Sequence, residues 1–126
     1  MESALLVVDG ANVVGSRPDG WWRDRLGAAV RLRDRLVPLA TAGHPDLPPP
    51  VEVVLVVEGA ARGVPGTPEV RVVSAPGSGD DAIVDLVRVT PASRRRVVVT
   101  ADRELRARVV ELGAEIRGPR WIDLGR

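Results

Sequence analysis

Acids in this chain stand where apolar runs stop, and that placement is what could do chemistry. Ala4-Leu5-Leu6-Val7-Val8 ends at Asp9, followed by Gly10-Ala11-Asn12; Val51 to Val57 ends at Glu58-Gly59; Val97-Val98-Val99-Thr100 ends at Ala101-Asp102. Asp80-Asp81 opens a further apolar stretch directly after the turn-rich Ser74 to Gly79. Runs of this length and composition, bounded by turn residues, are expected to be buried strands. A single acid at such a place is explained by local structure, since Asp9 suits an Asx-turn and Asp102 a helix N-cap. Acids delivered by separate strands to one edge, with Asp80 and Asp81 beside them, are not. Carboxylates about 4 Å apart repel by roughly 1 kcal/mol even in water, so a cation is expected among them. All-oxygen ligands select Mg²⁺ or Mn²⁺ over a structural zinc. Such an ion activates water and steadies charge on a phosphoryl group, which makes phosphodiester hydrolysis the chemistry implied.

The intervening segments must position these acids. After Arg17-Pro18-Asp19-Gly20, with Asp19 a candidate N-cap, the apolar residues Trp22, Leu26, Ala29, Leu32, Leu36 and Leu39 recur at helical steps. Gly43 and the Pro-rich segment to Pro50 end that helix. Val51 to Glu58 reads as a central strand, Ala60 to Pro68 as a surface loop, and Val70 to Val73 as a third strand nearer an edge. Asp80 to Val87 reads as a short helix whose acidic first turn suits the helix dipole, and Arg103 to Leu112 as another stopped by Gly113. Ala114 to Ile116 is a short fifth strand, and the tail through Trp121 and Ile122 is expected to pack back. Strands alternating with helices predict a single three-layer α/β domain over 1–126 with a mainly parallel sheet. In such a sheet ligands sit beyond the carboxyl ends of the strands, where Asp9, Glu58 and Asp102 fall.

Composition narrows the classes. At 126 residues, 44% hydrophobic and 28% charged, the chain suits one globular domain with a core. No apolar run approaches the roughly 18 residues of a membrane span, and Glu2 directly after Met1 gives no leader-like opening, so a cytoplasmic location is expected. Cysteine is absent, which removes disulfides and thiolate metal sites. The lone His44, beside Pro45, reads as a loop residue. All 18 basic residues are arginine, so Walker-type phosphate loops and receiver domains, which need a lysine, drop out. An aspartyl phosphatase wants a second Asp where Ala11 stands, and Gly10 with Gly15 does not make a dinucleotide fingerprint.

Taken together, Asp9-Gly10-Ala11-Asn12, Glu58, Gly79-Asp80-Asp81 and Thr100-Ala101-Asp102 with Glu104 and Leu105 resemble the ordered acidic motifs of NYN domains in the PIN-like nuclease superfamily, of the bacterial YacP-like ribonuclease type. The resemblance runs from residue 4 to about 117. It implies a PIN-like fold with sheet order 3-2-1-4-5 and a metal-dependent ribonuclease. It also implies that Asp9 and Asp102 are metal ligands on neighbouring central strands, that Asp80 or Asp81 adds a ligand or positions the attacking water, and that Asn12 orients Asp9 or a phosphate. Thr100 would brace Asp102. Glu58 stands where many relatives have aspartate, and Asp85 is a third contender better placed for solvent.

RNA, the partner so implied, would meet a basic rim of Arg17, Arg23, Arg25, Arg62, Arg103 and Arg106. Arg94-Arg95-Arg96 reads instead as a solvated face on the opposite edge. Of Trp21 and Trp22, one is expected in the core and the other exposed, where it could stack on a base or serve a lid. The rival reading is a PIN-like domain that binds RNA or a protein partner, a second copy included, without cleaving.

Overall fold

The computed structural model describes residues 3–125. Met1 and Glu2, on which the leader reading rests, and Arg126 lie outside the described residues. The chain order is β1 (Ala4–Asp9), α1 (Gly10–Gly15), α2 (Arg25–Ala42), β2 (Val51–Val57), β3 (Val70–Ser74), α3 (Gly79–Val89), β4 (Arg96–Val99), α4 (Arg103–Glu111) and β5 (Glu115–Arg117). Short 3-10 turns occupy Trp21–Arg23, Gly59–Ala61 and Pro119–Gly125. The five strands form one parallel sheet in the order β3-β2-β1-β4-β5, as expected of a PIN-like domain. β1 is central, with Val8 opposite Leu55 on one side and Val99 on the other.

The continuous apolar runs are explained by two cores, one on each face. Side chains alternate along a strand, so Leu6, Val8, Leu55 and Val99 join Leu32 and Leu36 of α2, whereas Leu5, Val7, Val56 and Val98 join Ile83 and Val87 of α3 and Leu105 and Val109 of α4. The same alternation sets the site. Asp9, Glu58 and Thr100 continue the parity of Val7, Val56 and Val98, and so fall on the α3/α4 face.

Several local expectations change. The segment after Asp9 is helical rather than a plain turn: Asp9 caps α1, accepting from Asn12 N–H at 3.3 Å. Gly10 is required there, because a Cβ would stand 2.5 Å from the Val56 carbonyl oxygen. α2 begins at Arg25 and is capped by Asp24, not Asp19, through Gly27 N–H at 2.9 Å. Trp22 and Leu26, expected on its buried face, are 56% and 47% exposed; the buried stripe is Ala28, Ala29, Leu32, Leu36 and Leu39. The helical step was right but extended one turn too far.

Arg96 also departs from its reading as solvated. It opens β4 and is buried, donating through Nη1 to Val87 O at 3.1 Å and through Nη2 to Leu112 O at 2.6 Å. These are carbonyls at the ends of α3 and α4, where helices leave acceptors unmet and their dipoles favour a cation. Arg94 is half-buried on Ser3 O and Glu52, and Arg95 pairs with Glu115. The tail does pack back: Trp121 and Ile122 are buried, Trp121 stacks on His44 at 3.9 Å, and Asp123 binds Arg17 and Arg35. His44 is therefore a packed loop residue. Among the described residues no helix is long and apolar enough to cross a membrane.

Candidate active site

Asp9 is the buried acid of the site, 4% exposed at the end of β1. Thr100, wholly buried at the end of β4, donates its hydroxyl to Asp9 Oδ2 at 2.8 Å. The same hydroxyl accepts from Asp102 N–H at 3.1 Å, so the bracing expected for Asp102 reaches its backbone while the Asp9 carboxylate takes the proton donor. Asp102 caps α4, accepting from Leu105 N–H at 3.0 Å. Asn12 Oδ1 accepts from Ala101 N–H at 2.8 Å. It thereby ties the turn after β1 to the turn after β4, and its backbone rather than its side chain orients Asp9.

Glu58 follows β2 in an extended conformation. A Cβ on Gly79 would lie 3.1 Å from its Oε1, which puts the Glu58 carboxylate against the start of α3. That helix is capped by Ser78, accepting from Asp80 N–H at 3.1 Å. Ser78-Gly79-Asp80-Asp81 has the serine-to-acid spacing of a helix start, so this cap was available from sequence.

The acids feel one another. Burial raises the Asp9 carboxyl above its ordinary value against hydrogen bonds from Thr100 and Asn12, and the charges of Asp80 and Glu58 raise it further. Asp80 is likewise raised, by burial first and then by Asp102 and Glu58, with Arg108 opposing and Asp81 adding. This distinguishes the adjacent pair. Asp80 shares the field of Asp102 and Glu58, whereas exposed Asp81 pairs with Arg108 at 3.1 Å. Asp85 is exposed and pairs with Arg88. Glu104 sits exposed in the first turn of α4.

The donor set is all oxygen and mutually repulsive, which fits a hard divalent cation. Among the described residues, however, no group of three or more His, Asp or Glu stands at the spacing that holds an ion. The acids interact through their charges without closing around a point.

The six rim arginines divide. Arg17 is bound to Asp123, and Arg62 straps its loop through Gly59 O and Pro76 O. Arg106 donates to Thr100 O at 2.8 Å, which holds the end of β4. Arg23 and Arg25 lie over Trp22 and Trp21, and Arg103 is exposed at the start of α4.

With this geometry the chain superposes on solved structures of a bacterial protein. The fold is that of Rae1 (YacP) from Bacillus subtilis. Against Rae1 the TM-score is 0.72 at 18% identity, covering 97% of this chain and 71% of that one. Against its W164L mutant it is 0.70 at 19%, covering 94% and 70%. No protein-family model matches the sequence, and the search of the curated proteins found no match. The likeness to Rae1 thus lies in the fold, at an identity where side-chain chemistry has to be read from this chain itself.

Proposed function

We propose that the chain is a divalent-metal-dependent ribonuclease hydrolysing RNA phosphodiester bonds beyond the carboxyl ends of β1, β2 and β4. One observation carries the reading: Asp9, Glu58, Asp80 and Asp102 arrive from separate elements at one end of the sheet, close enough that the charges of their neighbours help to raise the carboxyls of Asp9 and Asp80. Like charges so gathered cost stability unless a cation or a reaction uses them. The NYN-like motifs and the fold shared with Rae1 agree with it.

Asp9, Asp80 and Asp102 would hold Mg²⁺ or Mn²⁺, with Glu58 contributing from the α3 side. When bound, the ion supplies charge against the phosphoryl oxygens and acidifies a water. Thr100 holds one Asp9 oxygen and the Asn12 N–H the other, which together keep the carboxylate in one orientation. Asp81 stays on Arg108, outside this group. Arg103, Arg23 and Arg25 offer charge to the RNA backbone, whereas Arg17, Arg62 and Arg106 act mainly within the fold.

The rival, a PIN-like domain that binds RNA or a protein without cleaving, has one observation behind it: the acids do not already stand at ion-holding spacing. Incubating the purified chain with structured and unstructured RNA in Mg²⁺, Mn²⁺ or EDTA separates the two. Cleavage that needs metal and disappears in both Asp9→Asn and Asp102→Asn is expected; cleavage absent in every metal, or unchanged in both variants, refutes the enzyme.

A further inference from the structure

A cleft of about 250 Å³ opens beside the acids on the α2 side of the sheet, lined among others by Gly10, Ala11, Val14, Trp21, Arg25 and Glu58. Sites for drug-sized ligands run to roughly 300–1,000 Å³, so this one suits a single planar ring system. Half-buried Trp21 forms one wall, with the Arg25 guanidinium 5.4 Å from its ring centroid. Exposed Trp22 stands edge-on to Trp21, at 87° and 6.1 Å, and does not line the cleft. The other side chains lining the cleft are apolar, and Glu58 closes its end beside Gly59 while its carboxylate lies against the start of α3. Gly10 follows Asp9 directly, and Glu58 belongs both to this cleft and to the acidic group. The occupant therefore needs an aromatic face for Trp21 and a continuation past Gly10 and Glu58 toward the acids.

We propose that this cleft seats one unstacked nucleobase of single-stranded RNA against Trp21, with the attached backbone passing Gly10 and Glu58 to the carboxylates. The choice of RNA rests on the ribonuclease reading. Every base has a face to stack, so the cleft accepts bases with little sequence preference. Trp21, and not the more exposed Trp22, is the stacking residue.

The test is fluorescence-anisotropy binding of a short labelled single-stranded RNA, and of an abasic ribose-phosphate oligomer of equal length, in EDTA. Wild type should prefer the base-bearing RNA. Trp21→Ala should weaken that binding by roughly 5- to 150-fold, the effect of losing one base–aromatic stack, and Trp21→Phe should retain most of it. Ala11→Leu, which fills the cleft from an exposed helix position, should weaken it as well and decides the matter if Trp21→Ala does not fold. Binding of the abasic oligomer should be the same in all four proteins. Equal affinity of wild type for the two oligomers, or Ala11→Leu or a folded Trp21→Ala binding RNA as tightly as wild type, overturns the proposal. A parallel cleavage assay in Mn²⁺ keeps the two ideas apart. Trp21-dependent base binding without cleavage supports the cleft and removes the nuclease, and cleavage with Trp21-independent binding does the reverse.

Discussion

Thr100 and Asp9, 91 residues apart in sequence, share a buried 2.8 Å hydrogen bond in which the hydroxyl donates to the carboxylate. It joins the ends of two neighbouring strands and fixes the most deeply buried acid of the group. Thr100→Val should leave that carboxylate short of a donor. The expected stability loss is about 1–3 kcal/mol, and cleavage should fall by roughly 10- to 100-fold, as when groups orienting metal ligands are removed. Thr100→Ser should restore both. Urea unfolding and initial cleavage rates measure the two effects, and a valine variant with wild-type rate would show that Thr100 only packs.

Asp9→Asn keeps the shape and the cap on α1 but removes a buried charge. In EDTA it should melt a few degrees above wild type while losing metal-dependent cleavage. Adding Mn²⁺ should raise the wild-type melting temperature, by an amount equivalent to about 2.7 kcal/mol at a hundred times Kd, and should barely move the variant. Thermal scans with and without metal decide it; an Asn variant that melts below wild type in EDTA contradicts the repulsive cluster.

The pH dependence follows the same sign. Asp9 is raised above 3.8 chiefly by burial, so the metal-free folded state binds its proton more tightly than the unfolded chain. Its charged form therefore costs stability above the folded pKa, and that cost fades as pH falls through this value to 3.8. The stability advantage of Asp9→Asn in EDTA should be full above the folded pKa of Asp9 and vanish as pH falls through it toward 3.8. Glu115 runs oppositely: held low chiefly by its hydrogen bond from Arg95, it contributes stability above 4.5 that is lost as pH falls through its depressed folded pKa. Comparing the two proteins at each pH cancels this background, and an advantage that grows toward acid would contradict the Asp9 shift.

Gly10→Ala should be poorly tolerated although alanine favours helices, because its Cβ would meet the Val56 carbonyl at 2.5 Å. Overpacking of this kind costs roughly 1–3 kcal/mol. The shift would carry α1 away from β2 and disturb Asp9 and Asn12 together, so cleavage should fall along with the melting temperature.

Arg96→Met keeps the length of the side chain but strands the carbonyls of Val87 and Leu112. A loss on the order of 2–5 kcal/mol is expected for the unmet pair, read by chemical denaturation. Arg95→Met, which removes an exposed ion pair with Glu115, should cost about 1 kcal/mol or less. Similar losses at the two positions would mean that the helix ends do not depend on Arg96.

The sequence by itself determined the alternation of strands and helices, the mainly parallel sheet, and the delivery of Asp9, Glu58 and Asp102 to one edge, while the strand order with β1 at its centre came from the resemblance to NYN domains. These are legible because apolar runs and the turn residues that end them are local signals, and because parallel crossovers restrict the topology. Tertiary structure decided what depends on register and helix rotation. It gave the Thr100 hydroxyl to Asp9, turned Asp80 toward the other acids and Asp81 toward Arg108, and drew Arg96 inward to two helix ends. It also set Trp21, rather than Trp22, against the cleft. Most of these pair residues distant in sequence, a relation that leaves no mark in the order of amino acids, whereas the rotation that separates Asp80 from Asp81 is marked only by the spacing of Asp80 to the buried Ile83, Val84 and Val87.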